Sequence, residues 1–482
     1  MFKEVLFMLK KDYTNSQIID SIMLFFSCMF LIAAFTGAIY TNQLNTLFSN
    51  WILLMRSPSP LVTDYFALGG LGSAYLNAAA CGFTCYLFSH FLKGDSTSAT
   101  LSGYFLVVAH CLYGLNFLNF WPCFLSTMLF IVIKSQNIKE NLHICMFATS
   151  FGPFIGEFLF RYSRESSFVL GKMPLTEYGI TLTILFSLVI GFIIPPLLTQ
   201  ASSWHKSYNL FNAGLAFGIL GFFFYTFFYT TMNIPAPAAI DTSNLHYLDH
   251  NSSYLLFNNL FFLITFGICI FKGYQLNKKS FTSFKELIHD TGYQNDFSLK
   301  YQMPTCLINL GCCGLLFLVY LNVIMLYSDG AGFTGATAGV LIASLTFTAK
   351  GQHPRNIFPI MIGYQLLYFF GLGYTAYHGT TLSWSISSQG YINGVAFATG
   401  LAPIVSEFGG LAGIVAGFLC ASMCTSTGAI HGRLVLYNGG FTAGLTALIL
   451  VPILEHYFKP LINSDLKVES NMKYMLSFWK KK

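Results

Sequence analysis

Two glutamates, Glu157 and Glu407, stand where a carboxylate is costly. Each lies inside an apolar stretch, four residues after a proline (Pro153, Pro403) and eight after a threonine (Thr149, Thr399). An ionised carboxylate in hydrocarbon costs roughly 3 kcal/mol or more, so one kept at both positions calls for a water-filled path, a bound cation or a proton to carry. A neutral glutamic acid hydrogen-bonded to a neighbouring helix would meet the same cost. Gly152 and Pro153, and Gly400 and Pro403, interrupt the helical hydrogen-bond ladder and free backbone groups beside each carboxylate, which is how discontinuous helices build ion sites. Thr149 and Thr399 add a hydroxyl to each break, although threonine also bonds its own helix's carbonyls.

A second pair of polar residues is Asn212 and Asn438, followed by Gly214/Gly218 and Gly440/Gly444. Small residues four apart let helices approach closely, and the amides bridge helices or reach a solute. His205 and His431, beside Lys206 and Arg433, read as solvated residues at helix starts. His110 lies inside an apolar segment and has no histidine counterpart.

These residues recur because the sequence repeats itself. FATSFGPFIGEF (147–158) matches FATGLAPIVSEF (397–408) without a gap, at Phe, Ala, Thr, Pro, Glu and Phe. GLNFLNFWP (114–122) matches GQHPRNIFP (351–359), and HKSYNLFNAGLAFG (205–218) matches HGRLVLYNGGFTAG (431–444). A weaker YLN recurs at Tyr75–Asn77 and Tyr320–Asn322. The blocks keep their order, so the chain reads as two copies of one unit, residues 1–240 and 241–482.

The surroundings decide what solvent these units meet. Of 482 residues 54% are hydrophobic and 9% charged, against roughly a quarter charged in a soluble chain. About fourteen apolar segments, many near the roughly 20 residues needed to cross a bilayer, select membrane-spanning helices. They lie near 17–41, 65–92, 100–113, 118–133, 142–160, 179–199, 208–229, 254–273, 305–327, 332–349, 356–374, 390–408, 410–427 and 434–456. The predicted fold class is thus an all-α integral membrane protein of about seven plus seven segments. An odd number of crossings per copy inverts the second copy in the membrane. The basic start (Lys3, Lys10, Lys11) precedes a retained first span rather than a cleaved signal.

Residues 230–253 carry acid but no Lys or Arg, whereas 274–304 hold Lys278, Lys279, Lys285 and Lys300. The positive-inside rule puts the first outside, the second inside and both termini in the cytoplasm. Arg56, Arg161, Arg164, Lys172 and Arg433 then remain outside, and the cluster at 161–172 is the main violation. Alternatively, 100–133 and 332–374 are re-entrant hairpins and each half has five spans. That reading carries Lys350, His353 and Arg355 towards the membrane interior, where they attract an anion.

Several chemistries are excluded. The 12 cysteines sit mostly in apolar segments and behave as small hydrophobes, without zinc spacing. The net charge of +6 punctuates segment ends, so it signals topology and no nucleic-acid partner. No phosphate-binding loop, nucleophile elbow or HExxH is present, and no cofactor or metal is expected.

The ATxxxPxxxEF and YNGGFTAG segments, with the length and span count, resemble an uncharacterised family of bacterial polytopic membrane proteins known only as a domain of unknown function. The resemblance covers nearly the whole chain and implies a cell-membrane protein without naming a substrate. Among characterised folds, the architecture is similar to inverted-repeat transporters and urea-type channels only by analogy. The expected function is a transporter of a small solute or ion, coupled to a cation or proton through Glu157 and Glu407. A passive channel for a small polar solute is the alternative. An intramembrane enzyme using the carboxylates as acid and base fits less well, because acid and base need different environments. The expected partners are the lipid bilayer, the solute and at most further copies of the chain.

Overall fold

The computed structural model describes residues 13–242, 251–330, 332–458 and 460. The basic start, Asp249 and both termini, on which part of the predicted orientation rests, lie outside the described residues. Among the described residues the chain is helical and has no strand.

The first half runs through α1 (Asn15–Tyr40), α2 (Leu47–Met55), α3 (Tyr65–Phe91), α4 (Ser98–His110), α5 (Trp121–Ile133), α6 (Leu142–Ala148), α7 (Gly152–Phe160), α8 (Glu177–Trp204) and α9 (Asn212–Tyr225). The second contains α10 (Asn251–Leu276), α11 (Gln302–Tyr327), α12 (Gly335–Ala343), α13 (Pro354–Tyr377), α14 (Gln389–Ala398), α15 (Ala402–Phe408), α16 (Gly410–Met423) and α17 (Asn438–Tyr457). Eight described helical segments are long and apolar enough to cross a membrane. Their outward residues include Phe192, Ile184, Phe223, Leu263, Phe370 and Ile449, all exposed. Such a belt is the signature of a surface that meets lipid rather than water.

The predicted segments fall on helices, but several of those helices are short. α12 is nine residues long, or about 14 Å at the α-helical rise, against a hydrocarbon core of roughly 30 Å. α4 and α5 are 13 residues each. α4 starts with a capping box from Thr97 and Thr100, and Thr334 caps α12 through the Thr337 amide. The helix α2 and the buried extended loop after it, with Ser57 and Ser59 fully covered, were not anticipated from the sequence.

The same local structures occur in both halves. Asn77 on α3 donates to the Cys111 and Leu115 carbonyls, at 2.8 and 2.9 Å. Asn309 on α11 donates to those of Thr348 and Gln352, at 2.8 and 2.7 Å. Asn309, and not the Asn322 of the YLN match, therefore does the work of Asn77; Asn322 pairs instead with Asn259 on α10. In the turn that follows, Asn119 bonds the Gly114 carbonyl and Asn356 that of Gly351.

Contacts between the halves are reciprocal. The Leu210 amide donates to the Gly400 carbonyl at 2.8 Å, and the Leu436 amide to that of Ser150 at 3.0 Å. Phe441 fills the space over Gly218, and Leu215 that over Gly444. α4 and α12 lie side by side and antiparallel. Ser102 donates to the Thr346 carbonyl at one end, while Gly335 abuts the Leu112 carbonyl at the other.

Candidate functional site

The two Glu-bearing segments fold alike. α6 passes through a 3-10 turn, Thr149–Phe151, into α7, and α14 passes through Thr399–Leu401 into α15. Pro153 and Pro403 occupy first-turn positions of the second helix, where a missing N–H costs least. Thr149 Oγ1 donates to the Met146 carbonyl and Thr399 Oγ1 to that of Ala396, so both hydroxyls close their own helix. Thr399 also accepts from Gln352 Nε2 at 2.6 Å. Gly152 and Gly400 sit against Asn119 and Asn209, so neither has room for a Cβ without displacement.

The carboxylates end up in unlike surroundings. Arg161, one turn after Glu157, binds it bidentately: Nε to Oε2 at 2.9 Å and Nη2 to Oε1. Both are buried, and the guanidinium stacks over Phe168 at 5.4 Å. The arginine that violated the predicted topology thus balances the buried glutamate. The second copy has Leu411 at the matching position. Glu407 accepts instead from Thr291 Oγ1 at 2.7 Å, while Ser406 accepts from the Gly292 amide. Glu407 therefore tethers the loop between α10 and α11. The structure brings the two glutamates into no common site.

The predicted asparagines also part. Asn438 Oδ1 faces His431 Nε2 at 3.1 Å and is 5% exposed. Asn212 lines a cavity. His205 and His431, expected at solvated helix starts, are both buried; His431 packs against Phe441 of α17 and Gly221 of α9, and His205 Nδ1 accepts from the Asn209 amide. His110 is buried as well and bonds the Leu436 carbonyl at 3.1 Å.

The cavity has a volume of about 390 Å³ and is built by both halves. Asn212, His143 and Asn141 come from the first half, and Lys350 and Phe347 from the second. Gln294 and Asn295, in the loop tethered by Glu407, lie at its rim. Of the three basic residues in the second-half turn only Lys350 reaches it. His353 is spent as the N-cap of α13, and its Nε2 meets the Asp290 carbonyl. Asp290 is itself held below the usual carboxylate range: burial works against its charge, but Lys300 at 2.6 Å and Tyr301 at 2.9 Å outweigh it.

The repeat correspondence assigns the cavity residues counterparts, and those of its four central residues are buried. Lys350 corresponds to Tyr113, His143 to Asn393, Asn212 to Asn438 and Phe347 to His110. Tyr113 is 0% exposed, Asn393 4% and His110 1%. Leu61, in the loop matching that of Gln294, donates to the Arg433 carbonyl at 2.7 Å, while Arg433's counterpart Ser207 lines the cavity. Sequence reading missed this site because no single residue marks it; the signal available was the charge difference between the two copies of one turn.

No curated protein and no solved structure matches the chain. A family model described as a protein of unknown function (DUF1576) matches residues 43–230 and 276–456. These stretches together cover most of the chain and contain one repeat unit each, so the chain belongs to the DUF1576 family.

Proposed function

We propose that the chain is a carrier that moves a small solute across the membrane by exposing one central site alternately to its two sides. Two inverted repeats would supply the two conformations. The antiparallel contact of α4 with α12, which are equivalent in the repeat, supports a two-fold axis perpendicular to those helices. α4 and α12 are too short to cross, whereas α13 is long enough, so the odd number of spans per half, five or seven, is taken from the repeat rather than from helix length. An odd count makes the second unit enter the membrane upside down. The lysine-rich 274–304 loop then faces the cytoplasm, and the cavity opens on that side.

The observation that carries the reading is the inequivalence of equivalent residues. Lys350, Asn212 and His143 face a cavity, whereas Tyr113, Asn438 and Asn393 are buried. In a sequence built twice, a site open in one copy and closed in the other corresponds to one of two conformations, the second obtained by exchanging the roles of the repeats. A passive channel would need both sides open together. An intramembrane enzyme would need an acid and a base at one place, and Glu157 and Glu407 have separate partners. The same partners make both carboxylates structural anchors here, rather than coupling sites.

Counterflow in proteoliposomes tests it. For a panel of labelled organic acids, amides and sugars, a carrier takes up at least one solute faster when the lumen is loaded with that same solute. Uptake independent of lumenal loading for every transported member would favour a channel.

A further inference from the structure

We propose that the cavity binds a small organic carboxylate, with Lys350 as its counter-charge and the apolar wall as the seat of its hydrocarbon part. This deepens the carrier reading and rests on it. The argument begins with an unbalanced charge. Among the described residues no carboxylate lies within ion-pair distance of the Lys350 ammonium, although the side chain is only partly exposed, in the cavity that Phe347 also lines. A largely desolvated ammonium without a partner is costly, and a bound anion would remove that cost.

The acidic groups at this mouth are already engaged. Asp290 is paired with Lys300. Asp296 accepts from Ser98 and Ser298. Glu140 is exposed on the surface. Asp296 acts on Lys350 only from beyond ion-pair distance, so no carboxylate of the described residues touches the ammonium and its contact position is left to a bound anion. A second polar group in the same cavity is underused: His143 Nδ1 is buried and has no well-formed hydrogen bond, with only the Glu140 backbone of its own turn beside the ring. Asn212 adds an amide whose side chain has no partner among the described residues.

The rest of the wall argues against an inorganic anion. Phe147, Phe347, Ile144, Leu198 and Leu210 line the cavity together with the polar groups. A volume of about 390 Å³ exceeds what sulfate or chloride would fill. A carboxylate carrying a short aliphatic or aromatic body would satisfy both the polar and the apolar lining, the usual pattern of a small-molecule site.

Thermal unfolding of the purified full-length protein tests this with acetate, butyrate, benzoate and succinate, the amides butyramide and benzamide, and sulfate. At least one carboxylate is expected to raise the melting temperature saturably, while its amide does not. Lys350→Gln should weaken that carboxylate's binding about tenfold or more, the value of a charge-assisted hydrogen bond. Lys350→Arg should restore part of the effect, and Lys206→Gln should leave it unchanged. No shift with any carboxylate, or a shift that survives Lys350→Gln, would overturn the proposal. So would an equal Lys350-dependent shift with sulfate. Carboxylate binding without counterflow would uphold the site and remove the carrier reading; counterflow of an uncharged solute without carboxylate binding would do the reverse.

Discussion

Gly214 and Gly440 meet backbone to backbone where α9 crosses α17, and they are the same position of the two repeats. A residue that touches its own counterpart lies on the axis relating the copies. A Cβ on Gly214 would stand 2.4 Å from the carbonyl carbon of Gly440, whereas one on Gly440 would stand 3.2 Å from the Gly214 Cα. Alanine favours a helix by about 1 kcal/mol over glycine, but at Gly214 that gain is overridden by backbone contact. Gly214→Ala should therefore lower the melting temperature of the purified protein, and Gly440→Ala should lower it less. Equal or stabilising effects would mean that the crossing is looser than described.

The Glu157–Arg161 pair makes a different prediction. Removing one member leaves a buried charge without its partner, so Arg161→Gln should destabilise by about 3–5 kcal/mol. Glu157→Gln should cost a similar amount. The double variant, with no buried charge, should recover much of the loss in a thermal-unfolding cycle. Additive losses would show that the two side chains do not depend on each other.

For Glu407 the expected consequence is local. Thr291→Val removes the hydroxyl that bonds the carboxylate, a contact worth about 1.5–3 kcal/mol, and should speed proteolysis of the 277–301 loop about tenfold or more while leaving global unfolding nearly unchanged. Cleavage elsewhere first would place the tether outside the loop's stability.

Acid should act on the same loop through Asp290. A carboxyl held below its ordinary range contributes stability at neutral pH, and that contribution fades as pH falls through the lowered value. The loop should therefore keep its protease resistance to below the usual titration range of an exposed aspartate, about pH 3.9. Asp290→Asn should lose resistance already at neutral pH. Protection that vanished above that range in the unmodified protein would contradict the Lys300 and Tyr301 contacts.

The residues also mark where sequence reading stops. The Thr-x3-Pro-x3-Glu breaks were legible because a proline and an acid in apolar surroundings are rare enough to be matched by eye. Their partners were not, because Arg161 is one helical turn away only if the helix continues, and a linear charge count places it in a loop. His205 and His431 were read as solvated because each stands at a segment start near a basic residue; their burial comes from tertiary packing that no local pattern encodes. Asn77 was matched to Asn322 by its neighbours, while the fold matches it to Asn309 by the carbonyls it serves. The cavity was foreshadowed only through the hairpin reading that turned Lys350 inward, since concavity belongs to the packing of several segments and to none alone.

The central claim is that the open cavity and its closed counterpart exchange. Single-site variants Asn212→Cys and Asn438→Cys, on a background without accessible native cysteines, place a thiol at each of two equivalent positions. In vesicles, a membrane-impermeant thiol reagent should reach the first from the side of the 277–301 loop and the second from the opposite side. Joining Leu61→Cys to Arg433→Cys with a short bis-methanethiosulfonate cross-linker, which forms a disulfide at each thiol with loss of sulfinate, across the 2.7 Å backbone contact, should hold the far side closed. Labelling of Asn438→Cys should then cease while that of Asn212→Cys persists or increases. Labelling of Asn438→Cys at an unchanged rate in the cross-linked protein, or none in its absence, would contradict exchange between the two repeats.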